Sequence, residues 1–339
     1  MTKHGSRFNG AVVQWAQWLF KLGVGVALLM WLWRSGRFDA RVADQWRWGP
    51  AAAVIVVSQI AIIVLQAARW SILMRARGLP LPARAIVVAS LRGQFASVWT
   101  PSNLGLDGVR LWQATRLYPQ RAGILSVLLC DRLAGLAALL ALVVVAPLWH
   151  REAHLQILSF AAFSALCAGA AILLWARHST ATSHQAPNNG EDSGAEALAA
   201  RDGLGRAARF RLRLAGAVRW PHARREQWTA VALISVANHI FNALAFAGAF
   251  AMLGQKPPLT TIIAIVPSVI LSSVVPLTPL GLGVSDAVSQ LLFGAVGWTG
   301  GAAVTMIGRA TWLLLSLVCG GAYFARTPHF ASPPDPKVL

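Results

Sequence analysis

Long apolar runs, separated by short polar stretches rich in arginine, dominate the pattern of this chain. Six runs are long enough for a membrane helix, and they cover residues 15–33, 51–68, 122–149, 155–175, 228–253 and 302–324. A helix needs about 20 apolar residues to cross the hydrocarbon core, and lipid offers no partner to the backbone of an open strand. The pattern therefore predicts an all-α, polytopic helical membrane protein with about six full spans.

Two further apolar segments, 85–99 and 260–275, are short for a span, and each leads into a stretch dense in proline and glycine. These stretches read TPSNLGLDGV from residue 100 and PLTPLGLGVSD from residue 276. We expect two re-entrant helical hairpins, the first open to the cytoplasm and the second to the outside. The residues that break the helices are Pro101, Gly105, Pro276, Pro279, Gly281 and Gly283. For each break, a kink required only for packing is the alternative.

The two breaks share the tripeptide Leu-Gly-Leu, with a proline shortly before it and an aspartate shortly after it. Many transporters are built from inverted internal repeats whose binding sites lie at broken helices. The similarity therefore indicates an inverted repeat, although two breaks can also be alike by chance.

The distribution of basic residues predicts which loops lie on which side of the membrane. The chain is 56% hydrophobic and 12% charged, with a net charge of +18. If the N-terminus is cytoplasmic, 20 of the 30 basic residues fall in inside loops and six in outside loops. This asymmetry follows the positive-inside rule and places the basic excess against the anionic inner leaflet, which argues against nucleic-acid binding. We expect an inner (plasma) membrane protein with both termini inside and the loops 34–49, 148–154 and 253–259 outside.

The longest polar stretch, residues 177–227, is rich in Ser, Asn, Gly and basic residues. We expect a cytoplasmic, partly disordered loop. Its basic segment 206–220 is either a helix on the anionic membrane surface or part of a flexible loop. The proline-rich tail, 327–339, is expected to be flexible, and residues 1–339 are expected to form one membrane domain.

Charges within apolar segments need a reason, because an ionised side chain in lipid is costly. Asp131 and Arg132 lie about eight residues into their run, roughly 12 Å from the helix start. Adjacent residues of a helix do not face each other, so we expect each to pair with another segment. Arg92, Arg110 and Arg309 are candidate partners of Asp131. The pair is either a structural ion pair or part of a headgroup site, and Arg309 lies where it can also reach the outer surface.

The second break predicts a new helix that begins near Ser285. Ser285 is a plausible N-cap, and Asp286 suits the first turn because helix N-termini carry partial positive charge. Such an N-terminus can receive a phosphate, and Arg110 adds a full cation after the first break. The candidate headgroup-binding residues are Arg92, Asp107, Arg110, Asp131, Arg132, Ser285, Asp286 and Arg309.

No catalytic motif and no metal-ligand spacing stands out, so we expect no metal, no cofactor and no enzymatic activity. Asn238 and His239 lie within an apolar run, where an interhelical hydrogen bond is favoured over a catalytic base.

Three stretches together resemble the lysylphosphatidylglycerol synthase transmembrane-domain family, also called the flippase-like domain family. The first, residues 66–116, matches the family pattern at Arg69, Trp70, Leu73, Gly78, Pro101, Gly105, Asp107 and Arg110. DRLAGLAALL at 131–140 is similar to the family's acid-arginine signature, PLTPLGLGVSDA at 276–287 to its second break, and Arg309 has a counterpart. The resemblance covers roughly residues 50–325.

The second break departs from the family pattern. Pro279 and Leu280 stand where paired glycines are usual, and Ser285-Asp286 replaces the usual Arg-Glu. In two-part members of the family a soluble domain makes an aminoacyl lipid and the membrane part flips it. The resemblance implies the flippase-like half alone, which moves a polar-headed lipid, either a phospholipid or a lipid-linked sugar, between leaflets. A transferase that uses a lipid-phosphate-linked donor and a non-transporting subunit of an envelope-lipid pathway are the alternatives.

Overall fold

The computed structural model describes residues 49–98, 100, 104–145, 223–274 and 282–324, together with residues 30 and 34. This part of the chain is all helical, with eight main helices and no strand. In chain order they are α1 (Pro50–Ala76), α2 (Ala83–Val98), α3 (Leu104–Leu117), α4 (Arg121–Val145), α5 (Arg225–Met252), α6 (Leu259–Val274), α7 (Val284–Ala295) and α8 (Gly301–Phe324). The predicted all-α class is confirmed for the described residues.

Four of these helices, α1, α4, α5 and α8, are long and apolar enough to cross a membrane. They correspond to four of the six predicted spans. The other two, at 15–33 and 155–175, lie outside the described residues, as do most of the polar loop and the tail 327–339. Helix α5 begins at Arg225, within the last residues of the polar stretch 177–227.

Helices α1 and α5 pack side by side in antiparallel orientation. Near the start of α1, a Cβ atom at Gly248 would lie against Ile55 and the backbone of Ala51. Near its end, Arg69 donates a hydrogen bond from Nη1 to Ser235 Oγ at 3.0 Å. Small residues let the two backbones approach closely, as is typical of helix contacts in membranes. The two helices therefore contact each other near both ends of α1.

Two apolar cores lie at opposite ends of the α1–α5 pair. One contains Ile55 of α1, Phe250 of α5 and Phe293 of α7, and it also takes in α6 and α8. The other contains Trp70 of α1 and Val231 of α5, and it takes in α2, α3 and α4. The short helices α2 and α3 thus pack at one end of the pair, and α6 and α7 at the other.

Helices α2 and α3 form a close antiparallel pair around the first break. A Cβ atom at Gly93 would clash with Leu106, and one at Gly105 would clash with the backbone of Ala96. The N–H of Gly105 donates to Thr100 Oγ1 at 2.7 Å, which satisfies one of the free donors at the start of α3. Gly105 is thus required by close backbone contact. Pro101 lies outside the described residues.

The second break lies between α6, which has 16 residues and contains Pro267, and α7. Gly283, at φ +81°, stands at the N-cap of α7, a conformation that glycine adopts without strain. The prediction that Ser285 caps this helix is therefore wrong, whereas Asp286 does lie in its first turn. Pro276, Pro279 and Gly281 lie outside the described residues.

Candidate functional site: two buried ion-pair clusters

The first cluster is centred on Asp131 of α4. Arg69 of α1 contacts its carboxylate twice, from Nε to Oδ1 at 2.7 Å and from Nη2 to Oδ2 at 3.2 Å. Arg110 of α3 approaches Oδ2 with Nη1 at 3.6 Å. All three side chains are buried, and Arg110 is only 1% exposed. One carboxylate therefore holds arginines from two other helices.

Arg69 and its neighbours connect this cluster to α5. Besides Ser235, the guanidinium group lies against Gly135 of α4, where a Cβ atom would come within 3.2 Å of Nη1. The carbonyl of Gly135 lies 3.1 Å from His239 Nε2. Because a carbonyl only accepts, Nε2 of His239 donates the hydrogen in this contact. The favoured interpretation of His239, an interhelical hydrogen bond, agrees with this contact.

A second ion pair extends the first cluster to the protein surface. Arg132 of α4 contacts Asp107 of α3, with Nη2 and Oδ2 2.7 Å apart, and their side chains are 41% and 21% exposed. Asp131 and Arg132 thus face different partners, as expected for adjacent residues of a helix. With three arginines and two aspartates, these five residues carry a net charge of one positive.

The guanidinium group of Arg110 is incompletely paired. Its Cζ lies 5.0 Å from the centre of the Trp70 ring, a distance at which a cation is attracted to the ring face. Its Nε is buried and has no hydrogen-bond partner among the described residues. An unsatisfied buried donor on a charged group is costly, so Arg110 offers an N–H group for an acceptor that the described chain does not supply.

The second cluster is centred on Asp286 of α7, which is fully buried. Its Oδ2 accepts from the N–H of Gly283 at 2.9 Å and from Arg309 Nη1 of α8 at 3.1 Å, and its Oδ1 accepts from the Thr305 hydroxyl. Arg309 Nη2 also donates to Ser285 Oγ at 2.9 Å. The carboxylate therefore caps α7 and ties it to α8.

Close helix contact makes this second arrangement possible. A Cβ atom at Gly301 would clash with the backbone of Ser289, and Ser289 Oγ donates to the carbonyl of Gly301 at 2.8 Å. The start of α8 therefore lies directly against α7, and this proximity brings Thr305 and Arg309 to Asp286.

The structure divides the candidate residues between the two clusters. Asp107, Arg110, Asp131 and Arg132 lie in the first, and Ser285, Asp286 and Arg309 lie in the second. Of the three predicted partners of Asp131, Arg110 is correct, whereas Arg309 pairs with Asp286. Arg92 lies half-buried in α2.

Three members of the clusters were not among the predicted site residues. The second apolar run is predicted to end at residue 68, just before Arg69, but α1 continues to Ala76 and Arg69 is buried within it. The apolar sequence that continues after Arg69 to Met74 is the feature that indicates a longer helix. Nothing in the local sequence marks Ser235 or Thr305 as a partner of a buried charge. Within the described ranges, no three His, Cys, Asp or Glu side chains form a group that could hold a metal ion.

Comparison with known families agrees with this arrangement of helices and charges. The family model of the lysylphosphatidylglycerol synthase TM region matches residues 18–320. The chain belongs to this family. The match begins earlier than the resemblance at residues 50–325 and covers most of the chain. Together with the four apolar helices, it makes the chain a multi-pass membrane protein of the flippase-like family. Neither a curated protein nor a solved structure matches the chain.

Proposed function

We propose that this protein translocates a lipid with a phosphate-bearing headgroup between the two leaflets of the cell's inner membrane. The observation that carries the proposal is the presence of two buried arginine-aspartate clusters in opposite halves of the helix bundle. The first lies beside the α2–α3 pair, and the second lies where α7 meets α8. Buried ionisable groups in a membrane are costly and typically mark substrate pathways.

The position of the short helices supports re-entrant hairpins. Helices α2 and α6 each have 16 residues, about 24 Å at 1.5 Å per residue, which is less than the hydrocarbon thickness of about 30 Å. They pack at opposite ends of the α1–α5 pair. In our proposal the α2–α3 and α6–α7 pairs enter from opposite sides, as two halves of an inverted repeat within a protein of about six full spans.

The depth of the clusters also suits a headgroup pathway. Arg69 lies seven residues before the end of α1, about 10 Å along the axis, and Arg309 eight residues after the start of α8, about 12 Å. In our proposal each cluster receives the headgroup from its nearer leaflet. With both termini cytoplasmic, the first cluster serves the inner leaflet and the second the outer leaflet.

Arg110 is the residue that we assign to the lipid phosphate. A guanidinium group can bind phosphate oxygens through two parallel hydrogen bonds, and its unpaired Nε supplies one such donor. The net positive charge of the first cluster favours an anion. The second cluster has one arginine for one aspartate, so there Arg309 and Ser285 act through hydrogen bonds while Asp286 holds them in place.

The test uses purified full-length protein in phospholipid vesicles with fluorescent lipids. Lipid movement between leaflets without a new product supports translocation. Formation of a new covalent lipid would identify a transferase. If lipid neither moves nor forms a new product, the protein would be an accessory subunit. Arg110→Lys keeps the charge but loses the planar fork, so it should preserve expression and slow translocation. Arg116→Lys, on the exposed side of the same helix, is the matched control and should leave the rate unchanged.

A further inference from the structure

Helix α5 carries a polar stripe in an otherwise apolar sequence. After Thr229 its polar side chains are Ser235, Asn238, His239 and Asn242, at spacings that place them on one side of the helix. Ser235 is engaged by Arg69, and Asn242 donates from Nδ2 to the Asn238 carbonyl of its own helix at 2.9 Å. His239 is the ionisable member of this stripe.

His239 lies at the middle of α5. It is fourteen residues from Arg225 and thirteen from Met252, which places it about 20 Å from either end. Because α5 is long and apolar enough to cross a membrane, its centre lies close to the midplane of the bilayer. The residue is only 8% exposed. An ionisable side chain buried at this depth typically belongs to a transport or proton pathway.

The two ring nitrogens of His239 have different surroundings. Nε2 donates to the carbonyl of Gly135 in α4 at 3.1 Å, so this nitrogen carries a hydrogen in both ionisation states of the ring. Nδ1 is buried and has no hydrogen-bond partner among the described residues. Buried polar atoms are nearly always paired, so this exception needs an explanation. The ring can gain or lose its second hydrogen only at Nδ1.

The helices around α5 provide the charges that act on this nitrogen. Among the described helices that contact α5, α6 carries no titratable side chain. Those on the other helices are Arg69 and Arg75 of α1, Arg121, Cys130, Asp131 and Arg132 of α4, Asp286 of α7, and Arg309 and Cys319 of α8. Arg69 lies against Gly135, the residue that also accepts from His239. The first cluster is therefore the charged group next to the ring.

A proton on Nδ1 and a phosphate at Arg110 should favour each other. The five residues of the first cluster carry one net positive charge, and protonation of His239 adds a second. A lipid phosphate beside Arg110 supplies the opposite charge, and charges interact strongly where water is excluded. Binding of either the proton or the phosphate therefore increases the affinity for the other, and this effect is reciprocal.

We propose that Nδ1 of His239 is a proton-binding site that couples lipid translocation to a proton gradient. The proton comes from water on one side of the membrane, crosses together with the phosphate-bearing lipid and returns to water on the other side. Nε2 stays bonded to Gly135, and no covalent bond of the lipid forms or breaks. One proton balances one phosphate charge. This inference rests on the proposed lipid translocation and deepens it by naming the coupled ion.

The first experiment measures how a pH difference distributes a labelled lipid between leaflets. The full-length protein is placed in phosphatidylcholine vesicles with a trace of acyl-chain-labelled phosphatidylglycerol, and potassium with valinomycin holds the membrane potential at zero. When the inside is one pH unit more acidic, the label should accumulate in the outer leaflet about tenfold, because each lipid moves with one proton. Without a pH difference it should divide about evenly.

The outcomes of this experiment separate the two proposals. Movement of the label with an even distribution under the pH difference would overturn the coupling and leave the proposed translocation intact. If the label does not move at any pH, the proposed translocation is wrong and the coupling falls with it.

A variant tests the assignment to His239. His239→Gln removes the titrating nitrogen and keeps an amide N–H that can donate to Gly135. In this variant the label should still move, but it should divide about evenly whatever the pH difference. Asn242→Leu is the matched control on the same helix, because the side chain of Asn242 donates within α5, and it should keep the uneven distribution. An uneven distribution in His239→Gln would place the proton elsewhere and overturn the assignment.

A second measurement reads the proton without transport. Nitrogen NMR of isotope-labelled histidine is recorded on the full-length protein in lipid nanodiscs, and the signal missing from His239→Gln identifies the residue. Nδ1 should gain a hydrogen as the pH is lowered from about 8 to about 5, the range in which histidine ordinarily titrates, while Nε2 keeps its own. Phosphatidylglycerol in the nanodisc should favour the protonated form at a given pH. An Nδ1 signal that does not change over this range would overturn the inference even if lipid moves.

Discussion

Arg69 and Asp131, 62 positions apart in the chain, join α1 to α4 through two nitrogen-oxygen contacts within one buried ion pair. Arg110 shares the same carboxylate from α3. A single side chain therefore holds three helices together and also orients the guanidinium group that we assign to the lipid phosphate. Asp131 therefore contributes both to the stability of the helix packing and to the position of the headgroup-binding arginine.

Replacement of Asp131 by Asn should destabilise the protein strongly. The change leaves Arg69 and Arg110 buried without a counter-charge, and removal of one partner of a buried pair typically costs about 3–5 kcal/mol. Unfolding of the purified protein in detergent, followed by heat or denaturant, measures the effect. Arg132→Gln breaks the more exposed pair with Asp107 and serves as the control, with a cost of about 0–1 kcal/mol. Equal losses in the two variants would contradict this account.

Gly105→Ala should prevent close packing of α2 and α3, because the added Cβ would overlap the backbone of Ala96 and the nitrogen of Ser97. Backbone atoms cannot move aside as a flexible side chain does, so we expect a large loss of folded yield. Gly108→Ala, on the same helix, meets nothing within 4 Å. It should stabilise α3 by up to about 1 kcal/mol, because alanine has the higher helix propensity. Size-exclusion profiles and melting curves of the two variants make the comparison.

Asp286 and Arg309 should behave as one unit in a double-mutant cycle. Asp286→Asn leaves the guanidinium group without its carboxylate, and Arg309→Gln leaves the fully buried carboxylate without its cation. Each single change should therefore lower stability, and the double variant should lose clearly less than the sum of the two, with a coupling of about 0.5–3 kcal/mol. Additive losses would show that the two residues act independently.

The proposed topology can be tested by labelling single cysteines in a variant whose native cysteines are replaced. Ser193→Cys, in the polar loop, should resist a membrane-impermeant thiol reagent added to intact cells and react after permeabilisation. Lys256→Cys, between α5 and α6, is exposed and should react in intact cells. This difference follows from the distribution of basic residues across the membrane. The reverse labelling pattern would require the opposite orientation.

The pairing of the buried charges shows the limit of prediction from sequence. Asp131 was expected to pair with another segment, and Arg110 was one of its three proposed partners. Arg69 is not among the predicted partners because the apolar run predicts a span that ends at residue 68, whereas α1 continues to Ala76. Its pairing with Asp131 depends on the packing of α1 against α4, which no local pattern encodes.

The second break illustrates the same limit at short range. Glycine density correctly indicated a new helix with Asp286 in its first turn. The N-cap, however, is Gly283 and not Ser285. Ser285 instead accepts from Arg309, 24 positions later. The local preference for serine at an N-cap is outweighed here by two other features. They are the turn at Gly283 and the hydrogen bond of Ser285 with Arg309 of α8.

The sequence by itself determined the all-helical membrane class, the family, the places where short helices end, and the presence of charges that lipid cannot accommodate. These features follow from local chemistry, because the apolar length and the glycine and proline content of a segment decide how its backbone can be satisfied in lipid. Only the tertiary structure decided that Arg69 and Arg110 share Asp131, that Arg309 joins Asp286, and that His239 donates to Gly135 through Nε2. Those relationships depend on helix rotation and register between segments up to 104 positions apart, which the pattern along any single helix does not specify.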